Sequence, residues 1–178
     1  MKRFIKLFFG MMMIGLVVFS TTKMTIAWLS AETIEIQNKF STGIVESEII
    51  EEFDGQTKTD VSIKNTGNID AYIRVALIPA WKEADGNVSG TPVGAEYTKP
   101  QAPDGWFLKD GFYYHMTKVP SGENTSILIS EFTMPTKDGL LFELQILASA
   151  IQANPKEAVE DSWPVIVDTA GKLNGGGP

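Results

Sequence analysis

The sequence predicts an all-β protein, an antiparallel β-sandwich with one short C-terminal helix, preceded by a signal-peptide helix. Three observations support this prediction. Apolar residues recur at every second position in several segments, glycine-containing turns separate those segments, and a short apolar run follows a basic N-terminus. The 178 residues are enough for one domain with its own core.

Alternation is clearest in "TDVSIKN", "AYIRVALI" and "LFELQILASAI", and it is typical of half-buried antiparallel strands. The segments "GIVESEIIEEF" and "TSILISEF" are rich in β-branched residues, and we predict strands there too. The residues predicted to face the core are Val61, Ile63, Ala71, Ile73, Val75, Leu77, Phe142, Leu144, Ile146, Ala148 and Ala150.

Turn signals separate these strands. Gly stands beside Asp, Asn or Ser, or near them, in "FDGQ", "NTGN", "EADGN", "PDGW", "KDGF", "PSGE" and "KDGL", where a backbone at positive φ costs little. A stretch rich in Gly and Pro, over residues 82–105, is predicted to be a surface excursion. Short strands separated by regular turns favour a sandwich.

One helix is predicted in "NPKEAVEDSW", with Asn154 as its cap, Pro155 at its first position and Pro164 after its end. The tail "GKLNGGGP" offers little that could pack, so residues 169–178 are predicted to be disordered. The main domain is therefore assigned to residues 44–168.

The N-terminus has the layout of a secretory signal peptide. The basic "MKRFIK" is followed by thirteen apolar or small residues and then by "STTKMTIA". A membrane-spanning helix needs about 20 apolar residues, and Lys23 interrupts this run. Ala27, with Thr25 two places before it, fits a cleavage site, so we assign 1–27 to the signal peptide. An uncleaved signal anchor is the alternative, and only that form would stay at the membrane.

Cleavage before Trp28 would leave a strongly acidic protein. Four of the 15 basic residues precede that point and all 22 acidic residues follow it, which gives the mature chain a formal charge of −11. Such a surface repels nucleic acid and anionic lipid. The sequence has no cysteine, so neither disulfides nor thiolate chemistry can contribute.

The residues of common catalytic and metal sites are scarce, and we predict no catalytic residue, no metal ligand and no cofactor. The single histidine, His115, lies in the aromatic strand "GFYYHMTK" and is interpreted as structural. Neighbouring Glu51 and Glu52 point to opposite faces of a strand and cannot act as one acid–base couple. "EADGNVSG" lacks the alternating ligands of a calcium loop, which favours an ordinary turn.

Aromatic residues are concentrated in the middle of the chain. Exposed rings there could stack on sugars, which would make the protein a polysaccharide-binding module centred on Trp106. The preferred interpretation is that about half of the rings fill the core and the others shield a sheet edge. These residues are Trp81, Trp106, Phe107, Phe112, Tyr113 and Tyr114.

Several segments together resemble a known family. "TIAWLSAETIEIQNKFSTG" resembles the junction of proteins exported through SipW-type signal peptidases, in which a small residue is followed by an aromatic residue and then by N-x-F-[ST]-x-G. "VSIKNTGNIDAYIRV", "GFYYHMTKVPSGENTS" and "LLFELQILASAIQANPKEAVEDSW" are similar to later blocks of the same family. The matching junction positions are Ala27, Trp28, Asn38, Phe40, Ser41 and Gly43.

The family is that of TasA and camelysin (CalY), proteins exported by Gram-positive bacteria. The resemblance implies a jelly-roll-like β-sandwich that is secreted and often assembled into fibres of the extracellular matrix, with a SipW-type peptidase as its partner during export. Camelysin relatives have also been classed as metallopeptidases. Here the histidines that a zinc site would use are absent.

Residues 28–43 form a candidate donor segment. In "ETIEIQNKF", Ile34, Ile36 and Phe40 share one face of an extended chain. Once released, this segment can pair with its own sheet, or it can add to the open edge of another copy and build filaments.

The sequence therefore favours a secreted, non-enzymatic structural protein of the cell surface or biofilm matrix, which self-associates. A polysaccharide-binding module and a camelysin-type metallopeptidase are the alternatives.

Overall fold

The computed structural model describes residues 43–176 of the chain. The predicted signal peptide, the cleavage site at Ala27 and Trp28, and the donor-segment residues Ile34, Ile36 and Phe40 lie outside the described residues.

The described chain is mostly β-structure, with one short helix. Its elements are β1 (Ser47–Phe53), β2 (Thr57–Asn65), β3 (Ala71–Lys82), β4 (Trp106–Lys109), β5 (Phe112–His115), β6 (Ile129–Thr133), β7 (Leu141–Gln152), α1 (Lys156–Ser162), β8 (Ile166–Val167) and β9 (Leu173–Asn174).

All strand pairs of this part of the chain are antiparallel. One sheet has the order β1-β2-β6, a second has the order β4-β5-β3-β7, and β8 pairs with β9. The main core contains residues from both large sheets, such as Val61 and Ile63 from β2 and Val75 and Leu144 from the second sheet. This arrangement confirms an antiparallel all-β sandwich.

The predicted core faces are confirmed. Val61 and Ile63 of β2 and alternate residues of β3 are buried, as are Leu144 and Ile146 of β7, while Phe142, Ala148 and Ala150 are half-buried against the same core. Ser62, on the opposite face of β2, is buried as well. The opposite face of β3 is not fully exposed to solvent, because Tyr72 is also buried. It packs in a second cluster with Tyr114, Val159 and Trp163.

The helix is present, but the prediction that Asn154 caps it is wrong. Pro155 occupies the N-cap position in an extended conformation, and no side chain caps the helix. Val159 is buried and holds the helix against the second cluster. Trp163 ends the helix in an extended conformation, as expected for a residue that precedes proline.

The prediction of a disordered tail is wrong for residues 169–176. Leu173 is buried in the second cluster and its backbone N–H donates to the carbonyl of Met116 at 2.7 Å. The hydroxyl of Tyr72 donates to the carbonyl of Gly171 at 2.8 Å. One apolar side chain and these bonds are enough to fix a segment whose composition resembles that of a linker.

Candidate functional site

Two edge strands, β1 and β7, lie beside one another on one side of the sandwich. Within residues 43–176, β1 pairs only with β2 and β7 pairs only with β3, so each strand has one edge without a ladder partner. Unpaired strand edges are templates for the addition of further strands.

A groove of about 490 Å³ follows this side of the sandwich. We call it the edge groove. Phe53 and Leu141 are 52% and 64% exposed, and they lie together with other apolar side chains in this groove. Its apolar lining consists of Ile49, Phe53, Met134, Leu141, Phe142, Leu144 and Ile146.

One ion pair interrupts the apolar lining. The Nζ atom of Lys58 contacts Oε1 of Glu51 and also lies 5.0 Å from the centre of the Phe53 ring. The side chains of Lys58 and Glu51 are only 12% and 26% exposed. A second pair, Lys82 and Glu143, joins Nζ to Oε2 at 2.9 Å at the end of the groove near Leu141.

A β-bulge shapes the wall of the groove that β1 and β2 form. The register between these strands shifts between Ile50 and Glu52, and Asp60 takes the left-handed conformation with φ of 53°. The bulge places Phe53 opposite Lys58. Both of these side chains, together with Ile49 and Glu51, line the edge groove.

The N-terminal extension enters the domain away from the exposed end of this groove. Backbone N–H of Ile44 donates to Oδ1 of Asn68 at 2.7 Å, and backbone N–H of Asn68 donates to the carbonyl of Ile44 at 3.0 Å. At Gly67 a Cβ atom would lie 2.2 Å from the Ile44 carbonyl, so only glycine fits. Residue 43 therefore stands at the turn after β2, whereas Phe53 ends β1.

On the opposite side of the sandwich, side-chain hydrogen bonds hold two loop segments against the second sheet. Indole Nε1 of Trp106 donates to the carbonyl of Ser126 at 3.2 Å, and the hydroxyl of Tyr113 donates to the carbonyl of Pro100. Tyr97, in the excursion, packs with its ring centre 5.9 Å from that of Phe132 and 5.8 Å from that of Phe142, which lines the edge groove. The predicted surface excursion thus packs against the core in its second half.

His115 lies on this side and has a structural environment. Its Nδ1 is 2.7 Å from the carbonyl of Thr117, and its Nε2 accepts the backbone N–H of Ser126 at 3.3 Å. Burial lowers the pKa of the imidazole, partly offset by the bond to Thr117. Both ring nitrogens are therefore occupied in the neutral form, and neither is free to accept a proton from a substrate.

Residues 43–176 contain no group of three or more His, Cys, Asp or Glu side chains that could hold a metal ion. In the "EADGN" turn, Asp85 instead accepts hydrogen bonds from the backbone and the side chain of Asn87. These bonds lower the pKa of Asp85. This carboxylate organises the turn.

The central aromatic residues are packed inside the protein. Trp81, Trp106, Tyr113 and Tyr114 are buried, and Phe107 and Phe112 are half-buried. Trp106, on which the polysaccharide hypothesis rests, belongs to the main core. A sugar could not stack on it in this structure.

The edge groove is a site that sequence analysis missed, because the predicted assembly residues fall before position 43. Its signal in the sequence was present in "SEIIEEF", where large apolar residues fall on both faces of a short strand.

In the part of the chain that the structure describes, no helix is long and apolar enough to cross a membrane. Comparisons with protein-family models, with curated proteins and with solved structures find no match.

Proposed function

We propose that the protein is a secreted, non-enzymatic structural protein of the bacterial cell surface or biofilm matrix that forms fibres by strand exchange. The proposal includes cleavage between Ala27 and Trp28 by a SipW-type signal peptidase and a jelly-roll-like arrangement of the sandwich. The released segment 28–43 of one copy then adds to another copy.

The observation that carries this proposal is the open edge groove. It combines unpaired edges on β1 and β7 with an apolar lining, which is what an added strand needs for its backbone bonds and its side chains. The predicted donor residues Ile34, Ile36 and Phe40 are apolar and share one face, so they suit such a lining.

Strand exchange would join two different surfaces, the extension that leaves the domain at residue 43 and the edge groove. The extension departs at the turn near Gly67, and the exposed end of the groove lies at Phe53, about 20 Å away for the seven residues of β1. When subunits associate through two different surfaces, each contact leaves both surfaces free at the ends of the assembly. Such contacts build open filaments, unless the rotation between neighbouring subunits closes them into a ring.

The test examines mature protein beginning at Trp28 by electron microscopy and by sedimentation. We expect wild type to form filaments. We expect Ile34→Asp with Ile36→Asp to remain monomeric, since burying two charges costs several kcal/mol per contact. Deletion of residues 28–37 is expected to give a folded monomer as well.

A groove variant tests the acceptor separately. Leu141→Asp is expected to stop filament growth while leaving the domain folded, because this side chain is exposed. Ile78→Asp is the control, since Ile78 is an exposed apolar residue that does not line the groove. Wild type that stays monomeric at high concentration would contradict the proposal. Unfolding of the deletion variant would mean that the segment belongs to its own sheet.

A further inference from the structure

The polarity of the edge groove varies along β1. Three alternate residues of this strand line it, and the outer two, Ile49 and Phe53, are apolar. The middle one is Glu51, whose Oε1 is held by Lys58. Within residues 43–176, Oε2 of Glu51 has no hydrogen-bond partner. The groove therefore presents the sequence apolar, charged, apolar at a spacing of two residues.

The donor segment has a complementary pattern. On its even-numbered face, apolar Ile36 and Phe40 flank the amide of Asn38, again at a spacing of two residues. Only one even-face register places both apolar residues opposite Ile49 and Phe53. That register puts Asn38 opposite Glu51.

We propose that Asn38 of one copy faces the Glu51–Lys58 ion pair of the next copy and fixes the register of the exchanged strand. The inference rests on the proposed strand exchange. It does not depend on the direction of the added strand. An antiparallel strand pairs Ile36 with Phe53 and Phe40 with Ile49, a parallel strand exchanges these two partners, and Asn38 meets Glu51 in both.

The chemistry explains why an amide suits this position. The Nδ2 group of Asn38 can donate to Oε2 of Glu51, while Oε1 keeps Lys58. A shift of two residues would place Ile36 or Phe40 over the ion pair, which would then lose water without gaining a hydrogen bond. A shift of one residue would turn the apolar face to solvent. A single polar residue at an apolar contact commonly specifies register in this way.

The experiment measures the critical concentration for filament growth of mature full-length variants by sedimentation. Asn38→Leu is expected to raise it about tenfold or more, because a hydrogen bond to a charged group is lost where water is excluded. Gln37→Leu is the matched control. It makes the same change one position away, on the face that stays in water, and it is expected to leave the critical concentration within about twofold.

A rescue variant separates this pairing from general damage. Asn38→Leu combined with Glu51→Leu and Lys58→Met makes both surfaces apolar, and it is expected to return to within about threefold of wild type. Asn38→Leu that assembles like wild type would overturn the register while leaving strand exchange intact. Failure of wild type to assemble would overturn both proposals. Loss of monomer stability in Asn38→Leu, without any filaments, would place the segment in its own groove and would also overturn the inference.

Discussion

The two long sides of this sandwich are built differently. On one side, two loop segments are held against the sheets by side-chain hydrogen bonds. Trp106 donates to the carbonyl of Ser126, before β6, and Tyr113 donates to the carbonyl of Pro100, before β4. On the other side, β1 and β7 leave a groove in which Phe53 and Leu141 are exposed. Both sides end in edge strands, β4 and β6 on the first and β1 and β7 on the second, and the first side carries the loops held by these bonds.

The difference indicates where association can occur. Soluble β-proteins commonly cover or charge their sheet edges, because open edges recruit other strands. Within residues 43–176, loops are held against one side, and the side of β1 and β7 offers an apolar groove between unpaired edges.

The largest expected effect concerns the side with the held loops. Trp106→Ala should lower the free energy of unfolding by about 3–5 kcal/mol, because it empties a buried site and leaves the Ser126 carbonyl without its partner. Urea denaturation measures the change. Leu108→Ala, two residues away and about half exposed, is the control and should cost no more than about 1 kcal/mol. Equal losses in the two variants would mean that Trp106 is not buried on this side.

A smaller effect on the same side depends on pH. The folded pKa of His115 is lowered by burial, so its contribution to stability is full above the unfolded pKa and is lost as the pH falls below about 6.5. Wild type should therefore lose more stability than His115→Gln between about pH 7.5 and about pH 5.5. The difference between the two isolates the imidazole from the carboxylates. Parallel pH profiles would show that His115 is solvated.

The smallest expected effect on stability belongs to the side of the edge groove. Leu141→Ser should change the free energy of unfolding by no more than about 0.5 kcal/mol, since the side chain is 64% exposed. The same variant should weaken filament growth, which electron microscopy can follow. A large loss of monomer stability would break the comparison, because Leu141 would then belong to a closed core.

Much of the sandwich could be predicted from period-two alternation. The buried faces of β2, β3 and β7 followed from Val61, Val75 and Ile146 and their neighbours, because one side of each strand faces a common core. The turn glycines also behaved as expected in six of seven motifs, with positive φ at Gly55 among others. Gly67 differs, since its role is the close approach of the Ile44 backbone.

What could not be predicted depends on contacts distant in sequence. Tyr72 is buried by the α1 segment and Leu173, which follow about 80 and 100 residues later in the chain. No local sequence pattern around Tyr72 predicts these contacts. The order of residues 169–176 has the same origin. The edge groove is likewise a property of two strands that lie together only in the fold, and the donor residues Ile34, Ile36 and Phe40 lie outside the described residues.

The attachment of Ile44 to Asn68 has a mechanical consequence. In a filament built by strand exchange, tension on the donor segment enters the domain at Gly43 and runs along the axis of β1. Because β1 pairs with β2 from Ser47 to Phe53, interrupted at the bulge beside Glu51, the load is applied in shear and several backbone hydrogen bonds resist it together. The small hairpin of β8 and β9 stands outside this line of force. A fibre of such subunits would gain its tensile strength from one edge strand.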